Sequence, residues 1–241
     1  MKKISTLLAA AAMVLAANAQ SLTVCDGTDW SSMFPVYGMY VDSEGSTSQM
    51  IYPADMLTDL QGKTITQIKF YSDGGVKFSG CTIQLRLLET DETTYEDTAT
   101  RLEGASLVSA TTVGQGLDEL TFDFDEPFVY SGANLMVETV VAQTGDYATS
   151  YFTGVNTDYN ASMVYYNWWW EVSEGHGFLP KATFTFDDAG NTAISNVNTD
   201  KPVAAVRYYT LDGKQVSSPS GVTLEVTTYT DGTTSTVKVV K

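Results

Sequence analysis

The chain has 241 residues, with 13 Lys or Arg against 29 Asp or Glu, so its formal net charge is −16 at pH 7. A surface this acidic repels nucleic acid and anionic lipid, which argues against both as partners. Aromatic residues make up 12% of the sequence. That fraction is too high for a disordered chain, so we expect a packed hydrophobic core.

The N-terminal stretch MKKISTLLAAAAMVLAANA, residues 1–19, is typical of a secretory signal peptide. Lys2 and Lys3 precede an apolar run, and Ala17-Asn18-Ala19 has the small residues of a cleavage site. The apolar run is shorter than the roughly 20 residues that a membrane span needs. We therefore expect cleavage after Ala19, export across the inner membrane, and no transmembrane segment in the mature chain.

Cys25 and Cys81 are the two cysteines of the chain. In an oxidising compartment they allow one disulfide, which would add about 3–4 kcal/mol of stability in the chain-entropy account. Free cysteine is also often buried as a small apolar residue. The sequence leaves both alternatives open: one disulfide, or two buried thiols.

Apolar and polar residues alternate along five segments of the central chain: TITQIKFYS, CTIQLRLLE, ELTFDFD, NLMVETVV and KATFTFD. Strict alternation between Gly-, Asp- and Ser-rich turns is typical of antiparallel sheets with one buried and one wet face. We therefore predict an all-β protein, with an antiparallel β-sandwich of the jelly-roll or immunoglobulin-like kind over residues 20–188. One short helical segment is predicted at PADMLTDLQG, where Pro53 begins it, Gly62 ends it, and Met56, Leu57 and Leu60 share a face.

A second unit follows a small, polar segment at residues 189–204, whose composition is typical of a linker. Residues 205–241 contain Asp212-Gly213 and Asp231-Gly232, each between β-prone residues, which is a strong hairpin signal. We predict a sheet of three or four strands there. In this sheet, two sets of apolar residues are expected to face each other: Val222, Leu224 and Val226 against Val237 and Val239.

The C-terminal segment VRYYTLDGKQVSSPSGVTLEVTTYTDGTTSTVKVVK, preceded by AISNVN, resembles the sorting-type domain of Bacteroidetes proteins exported by type IX secretion. The resemblance covers Ala193–Lys241 and implies recognition by outer-membrane export machinery and delivery to the cell surface. In this chain the strand reads GVTLEV, where GVYIV or GIYIV is usual in the family. In the same group of exported proteins, short Asp-Thr-small sites carry O-glycans, and Asp97-Thr98-Ala99 resembles one, which implies glycosylation at Thr98.

The main domain resembles a β-sandwich module of secreted Bacteroidetes proteins and their adhesins. The runs that carry this likeness are PVYG, IYPADML and FVYSGANL. The resemblance implies a sandwich and an adhesin-like role, and it names no ligand.

Candidate catalytic groups are few. His176, the single histidine, lies in SEGHGFLP, and its flanking glycines predict a flexible loop, which is a poor support for a catalytic base. Asp123 and Asp125 have the spacing of a glycosidase acid pair. They are better explained as the wet face of a strand whose phenylalanines are buried. We expect no catalytic residues and no enzymatic activity.

Three acidic turns, CDGTDW, FDFDEP and FDDAGN, carry oxygen ligands that would suit calcium better than other ions. These ligands include Asp26, Asp29, Glu126, Asp187, Asp188 and Asn191. None of these turns fits a calcium-loop motif, and Asp is a common turn residue in its own right. We therefore expect no metal site and no cofactor.

The aromatic run YYNWWW spans Tyr165 to Trp170. If it is extended, Tyr166, Trp168 and Trp170 share a buried face, while Tyr165 and Trp169 lie on the wet face with Asn167 and Glu171. Trp169 and Tyr165 would then form a ligand-binding surface for a sugar ring or a peptide aromatic. The alternative is that Trp169 packs beneath a neighbouring loop such as EVSEGHGF.

The function predicted from the sequence is that of an exported cell-surface protein, adhesin-like and non-catalytic, which binds a glycan or a protein through an aromatic patch. A structural, self-associating component of the cell surface is the alternative prediction. A secreted hydrolase is the third.

Overall fold

The computed structural model describes residues 20–167, 169–188, 203–210, 214–218, 222–230 and 234–240. The predicted signal peptide, Trp168, nearly all of the predicted linker and both Asp-Gly turns lie outside these residues. The chain divides into two compact units, Met1–Asp187 and Asp188–Lys241. Within the described parts, no helix combines the length and apolar character that crossing a membrane requires.

Unit one is built almost entirely from short antiparallel strands. In chain order these are β1 (Gln20–Val24), β2 (Asp29–Ser31), β3 (Thr47–Tyr52), β4 (Lys63–Asp73), β5 (Thr82–Thr90), β6 (Ser106–Thr112), β7 (Glu119–Val129), β8 (Asn134–Gln143), β9 (Tyr151–Asn156), β10 (Ser162–Asn167), β11 (Glu171–His176), β12 (Phe178–Pro180) and β13 (Ala182–Asp188). They form two sheets. The first sheet has seven strands: five follow the order β1-β13-β4-β9-β12, β2 pairs with β9, and β7 pairs with β4. The second sheet has six strands, in the order β11-β10-β3-β8-β5-β6.

One hydrophobic core joins the inner faces of the two sheets. The seven-stranded sheet contributes Ile68, Phe70, Phe122 and Phe184 to this core. The six-stranded sheet and the residue just before β5 contribute Met50, Tyr52, Cys81, Ile83, Leu85, Leu87, Val137 and Val164. The Tyr52 ring meets the Phe184 ring edge-on across this core, at 5.7 Å between centroids. The prediction of an all-β, sandwich-like fold is confirmed.

The central strands β3 and β8 of the six-stranded sheet are buried on both faces, which the sequence prediction of one wet face did not anticipate. In β8, consecutive residues from Leu135 to Thr139 are all buried. The reason is the connection between β5 and β6, residues 91–105, which folds over the outer face. It closes a second, smaller core there, whose buried members are Ile51, Tyr95, Ala99, Met136 and Met163.

A buried polar network fastens this covering connection to the sheet. The Gln49 side chain donates to the Leu102 carbonyl at 2.8 Å and accepts from the Leu102 N–H at 2.9 Å. Gln49 also donates to the carboxylate of Glu138 at 2.8 Å, and Arg101 donates to the same carboxylate oxygen at 2.9 Å. Because Gln49 and Glu138 are both buried, these bonds satisfy groups that would otherwise be desolvated without partners.

The predicted helical segment is present as 3-10 turns over Ala54–Leu60, with Leu57 and Leu60 buried. Met56 does not share their face and is 39% exposed. Neither cysteine forms a disulfide: Cys81 is buried and Cys25 half-buried, both as free thiols. Of the two alternatives for these cysteines, the structure contains the pair of thiols.

Unit two is a separate antiparallel sheet of four strands, which are β14 (Val203–Thr210), β15 (Gln215–Val216), β16 (Val222–Tyr229) and β17 (Thr234–Val240). Their order is β15-β14-β16-β17. The register pairs Thr223 with Val239 and Glu225 with Val237. The predicted partnership of Val222, Leu224 and Val226 with these two valines is therefore wrong by one residue, and such a shift moves a whole strand to the opposite face.

Candidate functional site

The aromatic run YYNWWW is not extended: the chain reverses within it. Strands β10 and β11 form a hairpin whose last pair is Asn167 with Glu171, and residues 168–170 connect them. This connection contains none of the Gly, Pro, Asp or Asn residues that usually mark a turn. The prediction of one continuous strand through the tryptophans was wrong for that reason.

Trp169 and Trp170 lie at the tip of this hairpin, and we call them the tryptophan tip. Their side chains are 76% and 71% exposed. Exposure of Trp169 agrees with the sequence prediction. The predicted burial of Trp170 was wrong, because residues in a hairpin connection no longer alternate between the two faces of a sheet. Trp168 lies outside the described residues.

Three tyrosines support the hairpin just behind the tip. The Tyr166 ring stacks on Tyr40 with 3.8 Å between centroids, and Tyr37 meets both rings edge-on, at 5.6 Å from Tyr166 and 4.8 Å from Tyr40. The Ser43 hydroxyl donates to the Asn167 carbonyl at 3.1 Å, next to the tip. Stacked rings and this hydrogen bond restrict the direction in which the tip projects.

A surface depression of about 190 Å³ opens beside these tyrosines, and it is lined by Met39, Tyr40, Asp42 and Tyr147. Tyr147 is 58% exposed and Met39 is 39% exposed. Met39 lies in a 3-10 turn, Gly38–Tyr40, and Tyr147 lies in the connection between β8 and β9. A hydrogen bond joins the two segments, since the Ala148 N–H donates to the Gly38 carbonyl at 3.1 Å. The exposed aromatic surface therefore extends from the tip support into a shallow recess.

Tyr165, the second predicted ligand-binding residue, does not lie on the same surface as the tip. Its ring is half-buried against the second core and faces the Arg101 guanidinium at 5.7 Å. Its hydroxyl donates to Glu171 at 3.4 Å. Tyr165 thus packs under the 91–105 connection, so the structure does not combine Tyr165 with Trp169 in one platform.

The polar surroundings of the tip are acidic. Asp42 and Glu44 flank Ser43, which bonds to the hairpin, and Glu171 is the residue that follows the tip; all three acids are exposed. Burial, with smaller contributions from Tyr40 and other neighbours, raises the pKa of Tyr166 and of Tyr37. These phenols therefore stay neutral at physiological pH, and the negative charge near the tip comes from carboxylates.

His176 lies at the end of strand β11, opposite Ser162, and not in a flexible loop. The flanking glycines allow close packing: a Cβ on Gly175 would come 2.4 Å from the Glu96 carbonyl oxygen, and one on Gly177 would come 2.5 Å from that of Thr157. The imidazole packs edge-on against Phe34, at 5.7 Å between ring centroids. Burial lowers the pKa of His176, and Glu174, 3.8 Å away, partly opposes this.

The other candidate residues occupy positions that need no ligand to explain them. Asp123 is exposed on β7 and accepts from the Gln67 amide at 2.6 Å, while Asp26 pairs with Lys181 at 2.6 Å. Across the part of the chain that the structure describes, no group of three or more His, Cys, Asp or Glu has metal-site geometry. Asn191 lies outside the described residues. Thr98 is exposed, and its backbone bridges to Glu174.

The exposed side chains that the sequence did not indicate include Trp30, Met39 and Tyr147. Each stands in a short segment without clear periodicity, so no alternation pattern assigned it to a face. Trp30 was the one with a usable signal, since it follows the turn-forming CDGTD and precedes two serines. An isolated large aromatic in such a polar segment has few neighbours in the chain to cover it.

Comparisons with protein-family models, with curated proteins and with solved structures find no match to this chain.

Proposed function

We propose that this chain is an exported, cell-surface, non-catalytic binding protein that contacts a glycan or a protein through its tryptophan tip. The observation that carries the proposal is the exposure of Trp169 and Trp170, 76% and 71%, on a hairpin that a tyrosine stack supports. Trp is the residue that most often anchors a binding interface, because it offers a large, rigid contact area.

The size of the tip fits this role. At about 150–250 Å² per large aromatic side chain, the exposed parts of the two tryptophans amount to roughly 300 Å². An apolar patch of this extent on a monomer often marks a site of interaction. At about 25 cal/mol per Å², burying it is worth about 7–8 kcal/mol. Much of that gain is lost to the cost of association, so we expect the tyrosines and the adjacent recess to contribute to affinity.

Two features favour this proposal over the alternatives. The candidate hydrolase acid Asp123 is exposed on a strand and hydrogen-bonded to Gln67, a setting without the enclosed pocket that acid catalysis uses. The outer strand β11 of the six-stranded sheet is covered by the backbone of the 91–105 connection, through the Thr98–Glu174 bridge and the bond from the Ala99 N–H to the Ser173 carbonyl. This cover disfavours self-association by strand addition at that edge.

Surface location is part of the proposal, and the C-terminal resemblance supports it. We propose that unit two serves as the export label that outer-membrane machinery recognises. A chain that ends at Asp188 should then remain inside the cell envelope, while the full chain becomes accessible to protease added to intact cells. Equal protease accessibility of both chains would contradict this role for unit two.

A glycan array and a panel of basic, neutral and acidic peptides, each screened with the purified full chain, test the ligand proposal. The variant Trp169→Ala/Trp170→Ala should lose at least about 30-fold in affinity for the ligand found, equivalent to 2 kcal/mol for an interface anchor. Leu107→Ala is the matched control, because Leu107 is 47% exposed on β6, and it should bind as the unchanged protein does.

Two results would refute the proposal. One is binding that the double variant retains in full. The other is a double variant that no longer self-associates but binds every ligand as the unchanged protein does, a result that would favour the structural alternative. Unchanged thermal unfolding of the variant is the check that the loss is local.

A further inference from the structure

A third exposed tryptophan lies on unit one, away from the tip. Trp30 is 60% exposed on strand β2, where it pairs with Thr153 of β9. Its ring meets the Tyr151 ring edge-on, with 5.0 Å between centroids and 78° between planes. The backbone pairing and the ring contact together fix an indole at the surface.

Trp30 forms one side of a groove of about 300 Å³, whose other lining residues include Ser32, Met33, Phe34, Asn156 and His176. Asn156 is exposed, and its backbone N–H donates to the Asp29 carboxylate at 2.9 Å. That bond ties the residue to the strand that carries Trp30. The groove thus combines a rigid aromatic face with an amide, a hydroxyl and an imidazole.

The chemistry of this lining is neutral. All the residues named around the groove are apolar or uncharged polar ones, apart from His176, whose pKa burial lowers so that the imidazole is neutral at physiological pH. The imidazole is held in place by the edge-on contact with Phe34. Its Nε2 atom is buried and has no hydrogen-bond partner among the described residues, and the Glu174 carboxylate lies 3.8 Å from it.

We propose that this groove binds one neutral sugar ring of a glycan, with the apolar C–H face of the ring stacked on Trp30. A pyranose presents an apolar face to an aromatic ring and hydroxyls around its edge. The hydroxyls would meet the amide of Asn156 and the hydroxyl of Ser32, while the His176 ring forms an uncharged part of the lining. A few placed polar groups in a mostly apolar lining are what orient a small ligand. An acidic sugar fits poorly, because Asp29 and Glu174 lie nearby and no groove residue offers a cation.

This site is independent of the tryptophan tip and needs no contribution from it. The two are separated by the length of the β10–β11 hairpin: His176 is at its open end and Trp169 at its closed end. Five residue steps from Asn167 to Ser162 correspond to about 17 Å along a strand. A ligand for one site therefore implies nothing about the other, and the two proposals can fail separately.

The test uses the full chain labelled with ¹⁵N, so that each tryptophan gives its own indole N–H signal. The Trp30 signal is assigned by its loss in Trp30→Phe. Addition of neutral mono- and oligosaccharides should shift the Trp30 signal in a saturable way, and a matched oligosaccharide that carries a carboxylate should not. Titration calorimetry with the responding saccharide should show affinity reduced by about 10-fold or more in Trp30→Ala, and by less in Trp30→Phe, which keeps an aromatic face.

The matched control is Leu107→Ala, which removes an exposed apolar side chain elsewhere on the same unit and should leave saccharide affinity unchanged. The proposal is overturned if no saccharide shifts the Trp30 signal, or if Trp30→Ala binds as tightly as the unchanged protein. It is equally overturned if an aromatic peptide, and no saccharide, occupies the groove. The shift of the Trp30 signal is measured in the unchanged protein, so it does not depend on whether a variant folds.

Discussion

Removal of the Arg101 guanidinium should loosen the connection that covers the six-stranded sheet. Arg101 donates to the Glu138 carboxylate at 2.9 Å, and Arg86 lies 3.9 Å from the other carboxylate oxygen. The Glu138 side chain is only 2% exposed, whereas that of Arg101 is 26% exposed. In Arg101→Met, the buried carboxylate keeps the Gln49 hydrogen bond but loses its closest positive charge.

The magnitude follows from that geometry. Breaking a fully buried ion pair by removing one partner costs about 3–5 kcal/mol. Here Arg86 remains nearby and Arg101 is partly solvated, so we expect about 2–3 kcal/mol. For a domain of this size, that corresponds to a fall in Tm of about 4–12 °C. Glu138→Gln should cost less, about 1 kcal/mol, because its amide oxygen can still accept from Arg101 without leaving a buried charge.

Urea unfolding of the full chain measures the stability, and limited proteolysis measures exposure of residues 91–105. Lys69→Met is the matched control, because Lys69 makes an equally short pair with Glu119, at 2.8 Å, on the solvent-exposed side of β4. An exposed pair of this kind contributes at most about 1 kcal/mol. The reasoning is refuted if Arg101→Met is as stable as Lys69→Met, or if proteases cut its 91–105 segment no faster.

Two further predictions concern the thiols and the close-packed glycines. Burial raises the pKa of the Cys25 and Cys81 thiols to about 11, so iodoacetamide should modify them slowly at pH 7 in the folded protein and quickly in urea. Because these thiols lose their protons more easily in the unfolded chain, the free energy of unfolding should have its full value below pH 9 and should fall as the pH rises towards 11. A disulfide found by mass spectrometry would contradict the free thiols. Gly175→Ala should destabilise the protein by about 1–3 kcal/mol, because its Cβ would clash with the Glu96 carbonyl oxygen. Gly114→Ala, whose Cβ would have open space around it, should be nearly neutral in thermal unfolding.

The interiors of the strands could be predicted because burial imposes a period of two on them. Cys81, Ile83, Leu85 and Leu87 were assigned to one face, and all four are buried. The same rule failed for β8, where both faces are buried. A single strand carries no sign that a connection elsewhere in the chain, residues 91–105, will cover its outer face, since such cover depends on long-range packing.

The hairpin that carries the tryptophan tip was missed for a different reason. Turn prediction relies on residues with special backbone preferences, and residues 168–170 are all tryptophan. Exposure of Trp169 was predicted correctly, but from an alternation that does not exist there. The position of Tyr165 shows the consequence, because it was paired with Trp169 on one face and in fact packs against Arg101.

The two proposed sites share one structural element, the segment from Met33 to Tyr40. Phe34 in this segment holds His176 at the groove, and Tyr37 and Tyr40 hold Tyr166 behind the tip. A glycan long enough to reach from the groove along the hairpin, whose strand β10 extends about 17 Å, to the tip would gain from both contacts. Once one contact has formed, the effective concentration of the glycan at the other site is raised. Because Trp30 and Trp169 are too far apart to touch, the free-energy losses of their alanine variants should add for such a ligand. A single alanine variant at either tryptophan that leaves the affinity for this ligand unchanged would mean that the ligand uses only the other site.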